Sequence, residues 1–186
     1  MESDFYSPSL IIQSEQIIIV RQLGCVRAAA ELFIEYRALA PLSVDRLLEW
    51  DSPTLRMNVA AKAFVYEAAT LRLLIADVAR RYPQFEDDAR GALLGFDQAL
   101  PNLIELRNSQ AHLDERLNFR TRGRVIEVAD RATIDPDGFG LISPPHVSGD
   151  SVQATTESGH HAAVRIDGDA VAAAENAVRS LFRLAR

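Results

Sequence analysis

Apolar residues return every seven positions near the start of the chain, at Ile12, Ile19, Val26, Phe33 and Ala40, with Leu23, Ala30 and Leu39 beside them. Seven residues make about two helical turns, so this spacing draws an apolar stripe along one helix face. It predicts a helix from about Ser9 to Ala40, stopped by Pro41. A second helical pattern opens at Asp51-Ser52-Pro53, where Ser52 suits a cap and Pro53 a first turn. It runs through Val59, Ala63, Tyr66, Leu73 and Leu74 to Arg80-Arg81, and Tyr82-Pro83 closes it.

The third segment begins with the acids Glu86-Asp87-Asp88 and extends to about Arg120. Pro101 lies inside it, removes a backbone donor and predicts a kink. Beyond the kink Leu103, Leu106, Leu113 and Leu117 form the apolar stripe. From Gly123 the period turns strand-like. Strands are expected at Arg124 to Val128, Val152 to Glu157 and Ala162 to Ile166, with turns at Asp135-Pro136-Asp137-Gly138, Ser148-Gly149-Asp150 and Ser158-Gly159. Asp167-Gly168-Asp169 then starts a closing helix that ends near Leu184. Residues 1–8 are expected to be loose.

The expected fold is mainly α. Three long helices and a C-terminal helix form an up-and-down bundle, with a small antiparallel β insertion before the last helix. Residues 1–186 read as one domain, with 123–167 as a ribbon too small for its own core.

Composition narrows the function. The net charge of −6 argues against coating nucleic acid through bulk charge, so any such contact has to be local. Lys62 is the only lysine and every other basic residue is Arg. The lone Cys25 excludes an internal disulfide and fits a reducing compartment. The acidic start Met1-Glu2-Ser3-Asp4 is unlike an export signal. The apolar run from Leu10 to Val20 is broken by Gln13, Ser14, Glu15 and Gln16 and is too short for a membrane span. A cytoplasmic chain with no membrane contact is expected. His160-His161 sit in a predicted turn without further ligands at regular spacing, so no metal site is expected. Asp87-Asp88 and Asp135/Asp137 read as a helix start and a turn. There is no P-loop, dinucleotide fingerprint or Gly-x-Ser-x-Gly elbow, and no cofactor is expected.

The stretch that carries chemistry is Arg107-Asn108-Ser109-Gln110-Ala111-His112. Histidine titrates near neutrality and suits proton transfer. Arginine presents a planar fork of donors that matches phosphate oxygens. By composition, Arg-x4-His arises by chance about 0.4 times in such a chain, and about 0.01 times when Asn must follow the Arg. Asn108 and His112 are four apart on one helix face, so the amide oxygen is placed to select the imidazole tautomer. Arg107 and His112 stand about 140° apart on an ideal helix. A long Arg stem, a distortion after Pro101 or a second subunit has to bring them to one phosphate. A homodimer supplies two copies of each group around one groove, and two histidines allow one base and one acid.

The string Leu106 to Arg116 and its position late in the third helix resemble the HEPN superfamily of compact helical bundles. That family's motif is an Arg, usually followed by Asn, Asp or His, then three to five residues and a His. The resemblance covers residues 9–120 and 168–185, and the β insertion is outside the general pattern. It implies metal-independent cleavage of single-stranded RNA to 2′,3′-cyclic phosphate and 5′-hydroxyl ends at a groove between two subunits. Arg107 would hold the scissile phosphate, His112 would move the proton, and Asn108 would orient one of them. It also implies a setting in toxin–antitoxin or phage-defence systems, with an antitoxin or other neighbouring protein as partner. Some HEPN toxins carry a Tyr two residues after the His, modified by a partner nucleotidyltransferase. Asp114 stands there in this chain and puts that route in doubt.

Arg116, Arg120, Arg122 and Arg124 form a local basic run suited to RNA phosphates, or equally a solvated helix end. Phe119 nearby fits base stacking or core packing. Two further readings stand beside the nuclease. One is a catalytically silent HEPN-like module that binds RNA, a nucleotide or a protein. The other is a purely structural bundle in which Arg107 pairs with Glu105, Asp114 or Glu115.

Overall fold

A computed structural model describes residues 8–39, 52–111, 120–121, 124–125, 145–156 and 160–182. The fold is mainly α. Helix α1 spans Pro8–Leu39 and α2 spans Pro53–Arg81. A 3-10 turn at Pro83–Phe85 leads into α3, Glu86–Ala99. Helix α4 is Leu103–Ala111, and α5, Gly168–Phe182, closes the described chain. Strands β1 (Arg120–Thr121) and β2 (Arg124–Val125) form a two-stranded antiparallel ribbon. Strands β3 (His146–Ser148), β4 (Ser151–Thr155) and β5 (His161–Arg165) form an antiparallel sheet in the order β3-β4-β5.

The local signals act as their chemistry requires. Ser52 caps α2, its hydroxyl accepting from the Leu55 amide at 3.2 Å, and Pro53 occupies the first turn. Asp167 does the same for α5, accepting from the Ala170 amide at 2.9 Å. Glu86, Asp87 and Asp88 lie in the first turn of α3, and Arg80 and Arg81 in the last turn of α2, each complementing the helix dipole.

Helices α1 and α2 run antiparallel. Arg81, at the end of α2, pairs with Glu15 near the start of α1 at 2.6 Å. At the opposite end Arg56 donates to the Tyr36 hydroxyl at 3.0 Å. Between them Gln22 donates to the Glu67 carbonyl at 2.9 Å. The seam is filled by Ile19, Val26, Phe33, Phe64, Val65 and Ile75, all buried. Helix α5 lies against α1 and α3, with Arg27 and Glu175 at 3.5 Å.

Four expectations are corrected. Helix three does not kink at Pro101 but breaks. Leu100 ends α3, its amide bonding to the Phe96 carbonyl at 2.9 Å. Asn102 adopts φ 62, and its carbonyl accepts from the Leu106 amide to start α4 afresh. A left-handed residue cannot continue a right-handed helix, and Asn tolerates that conformation better than most. Arg120 is in a strand, so the helix cannot run to that residue. The strand β3 arises where none was expected, pairing His146 with Gln153 and Val147 with Val152. His161 belongs to β5, not to a turn, paired with Thr155.

The sheet is not a free ribbon. Val152, Ala154, Ala162, Val164 and Ile166 are buried in the same cluster as the helices, and β4 and β5 pack against α4. Its far edge is tied by Arg165, which reaches Asp150 and Asp167, each at 3.0 Å. The Asp150 carboxyl is held below its usual range by the Ser151 hydroxyl and by Arg165. No described helix is long and apolar enough to cross a membrane.

Two outcomes follow from this packing. Phe64→Ala empties a site with no solvent exposure and lowers unfolding free energy by about 3–5 kcal/mol, read as a lower denaturant midpoint. The Asp150 contribution is present above the ordinary aspartate value of about 3.9 and is lost as pH falls through its depressed folded value. Arg165→Gln therefore raises the Asp150 pKa in a carboxylate NMR titration.

Candidate functional site

Helix α4 is short, and its inner side decides where the motif points. Leu103, Leu106 and Ser109, spaced by three, are buried. The Ser109 hydroxyl donates to the Thr155 carbonyl of β4 at 3.3 Å in a buried setting. The motif's middle residue is thus an anchor between helix and sheet, a role its sequence position did not reveal. Arg107 and Asn108 flank this inner side, both half-buried.

The Arg107 guanidinium carbon lies 5.6 Å from the centre of the Tyr66 ring on α2. One of its terminal nitrogens donates to the Asn108 side-chain oxygen at 3.3 Å. Both partners are neutral, and among the described residues no carboxylate pairs with Arg107. Glu105, on the same helix, does not. The contrast with Arg72 is direct, since that side chain grips Asp97 through two bonds of 2.6 and 2.7 Å. Those bonds raise the Arg72 pKa above its already high ordinary value. Arg72 is a neutralised structural cation. Arg107 has no such partner among the described residues and lies over an aromatic face, an arrangement that orients the fork and leaves it able to meet an anion.

Tyr66 belongs to an outer stripe of α2 that includes exposed Val59, Lys62, Thr70 and Leu73. One turn beyond Tyr66 an open groove begins, lined by Thr70, Leu73, Leu74, Ala76, Asp77 and Arg80. Two of its residues, Asp77 and Arg80, pair with each other. Tyr66 was read from the sequence as part of an apolar stripe. Its contact with a residue 41 positions later rests on tertiary packing alone, and no local signal announces it.

His112 lies outside the described residues, as do Arg116, Arg122, Phe119 and Asp114. The expected Asn108–His112 contact therefore falls partly outside them, while the Asn108 oxygen is seen to serve Arg107. A carbonyl oxygen has two lone pairs, so one bond does not exclude a second. Arg120 and Arg124 are placed only by their backbone, on the paired strands β1 and β2. His160 is exposed beside β5. Among the described residues no group of three or more His, Cys, Asp or Glu could hold a metal ion.

Gln110 is the odd residue of the motif. Both polar atoms of its carboxamide are buried and have no partner among the described residues. An unpartnered buried polar group costs about 1–3 kcal/mol. The chain matches no family model, no curated protein and no solved structure.

The Gln110 cost can be measured. Gln110→Met keeps the length of the side chain and removes the stranded amide, so it raises stability by about 1–3 kcal/mol in thermal or denaturant melts. A loss of stability instead would show that the carboxamide is bonded.

Proposed function

We propose that this chain is a metal-independent endoribonuclease of the HEPN type, acting on single-stranded RNA. The observation that carries the reading is the Arg107 cation, seated over Tyr66 and bonded to Asn108 with no acidic partner among the described residues. His112 follows five positions later. In this reading the 2′-oxygen attacks phosphorus as His112 takes its proton. The bond to the 5′-oxygen breaks, and that oxygen leaves with a proton from a second histidine. The products are a 2′,3′-cyclic phosphate and a 5′-hydroxyl. Arg107 balances the charge that accumulates on the phosphoryl oxygens, and Asn108 fixes the plane of the guanidinium. A homodimer with two motifs on one groove supplies the acid and the base. Arg116, Arg120, Arg122 and Arg124 hold the flanking phosphates. Such an activity suits a cytoplasmic toxin or phage-defence effector kept in check by an antitoxin or another neighbouring protein.

A second reading is favoured by the same cation. An arginine held by neutral partners binds a phosphate whether or not a histidine completes the reaction, which describes a silent module for RNA or nucleotide.

A cleavage assay in EDTA separates the two. With a single-stranded RNA, the nuclease reading expects products with cyclic-phosphate ends. Arg107→Ala and His112→Ala each reduce the rate by about 10²–10³ while leaving the circular dichroism unchanged. RNA retained but uncut, with affinity falling steeply as salt rises, supports the binding module.

A further inference from the structure

Helix α1 carries apolar residues on the side turned away from α2 and α5. Ile17 is 60% exposed, Val20 52%, Leu32 44% and Leu39 58%. A helix that packs by one face normally turns polar residues outward, and a row of large apolar side chains in water marks a surface that meets another. Arg21, Glu31 and Glu35 are exposed and form no ion pair among the described residues.

We propose that this face pairs with the same face of a second copy of the chain, antiparallel, about a two-fold axis level with Val26. The argument is the order of residues along the face. At about 100° per residue, Ile17, Arg21, Gly24, Ala28, Glu31 and Glu35 lie within about 40° of one line, with Val20 and Leu32 about 60° to either side. Turning a second α1 end for end sets Gly24 level with Ala28, and Ile17 level with Glu35, between Leu32 and Leu39. The same operation sets Arg21 level with Glu31 and one turn from Glu35. Opposite charges therefore meet twice, once on each side of the axis, which is what a self-complementary interface requires. At the crossing stand the two small residues, and the side-chain position of Gly24 has nothing within 4 Å. Backbones can approach closely there.

This interface is independent of the nuclease reading. Helix α4 packs against α2, β4 and β5, whereas α1 packs against α2 and α5, so this face of α1 is separate from the Arg107 surface. Combined with a two-fold groove at Arg107, it gives a tetramer with two kinds of interface.

Cys25, the single cysteine, is exposed beside the crossing, and the axis places both copies on the same side of the helix pair. A short bis-maleimide added to the native protein should therefore give a covalent dimer. In sedimentation equilibrium Arg21→Glu raises the dimer Kd about tenfold or more, and adding Glu31→Arg with Glu35→Arg restores it. All these positions are exposed, and unchanged thermal melts confirm folding. Three results overturn the proposal: a monomer at about 100 µM, a dimer that Cys25 cannot link, or a linked dimer indifferent to Arg21→Glu. RNA cleavage by the same variants reads the nuclease question separately.

Discussion

Helix α2 surrenders its surface on several sides at once, and the rest of the molecule is arranged around that. It touches α1, α3, α4, α5 and β3. Such crowding needs a narrow rod, and the buried alanines Ala60, Ala61, Ala68 and Ala69 provide it. Between them Phe64, Val65, Leu71 and Ile75 supply the bulk that fills the gaps. Close packing of this kind makes each neighbour's position depend on the others. The outer stripe that remains is the one from which Tyr66 meets Arg107.

The break at Leu100–Asn102 is the second decision in the chain. Had the helix continued through Pro101, the motif would have been carried along the axis of α3. The left-handed turn at Asn102 instead redirects α4 between α2 and the sheet. There Arg107 meets a tyrosine and an asparagine and, among the described residues, no carboxylate, although the chain carries 26 acids against 20 lysines and arginines.

Much of the scaffold was legible because helices write their period into sequence. The stripe from Ile19 to Phe33, the Ser52 cap, the acids opening α3 and the Asp167 start of α5 all follow local rules. Strands β4 and β5 were found within a residue or two, since alternation and turn residues are local as well. What escaped depends on pairing at a distance. The strand β3 is too short for a pattern of its own and exists because β4 offers an edge. Pro101 announced a disturbance, but a kink and a break differ only by the φ of the next residue. At the site, Arg107 and Asn108 were visible as types and spacing. The parts played by Tyr66, Ser109 and Gln110 are set by what packs against them.

The bond from Ser109 to Thr155 has a consequence for recognition. It fastens α4 to the sheet two residues from Arg107, while Leu103 and Leu106 fix the same helix from within. A free arginine side chain carries about 2 kcal/mol of rotamer entropy, and here much of that freedom is surrendered when the chain folds. In the proposed function an arriving oxyanion would therefore meet a donor with little reorganisation left to do. On that proposal discrimination would fall on the ligand, which must shape itself to the fork.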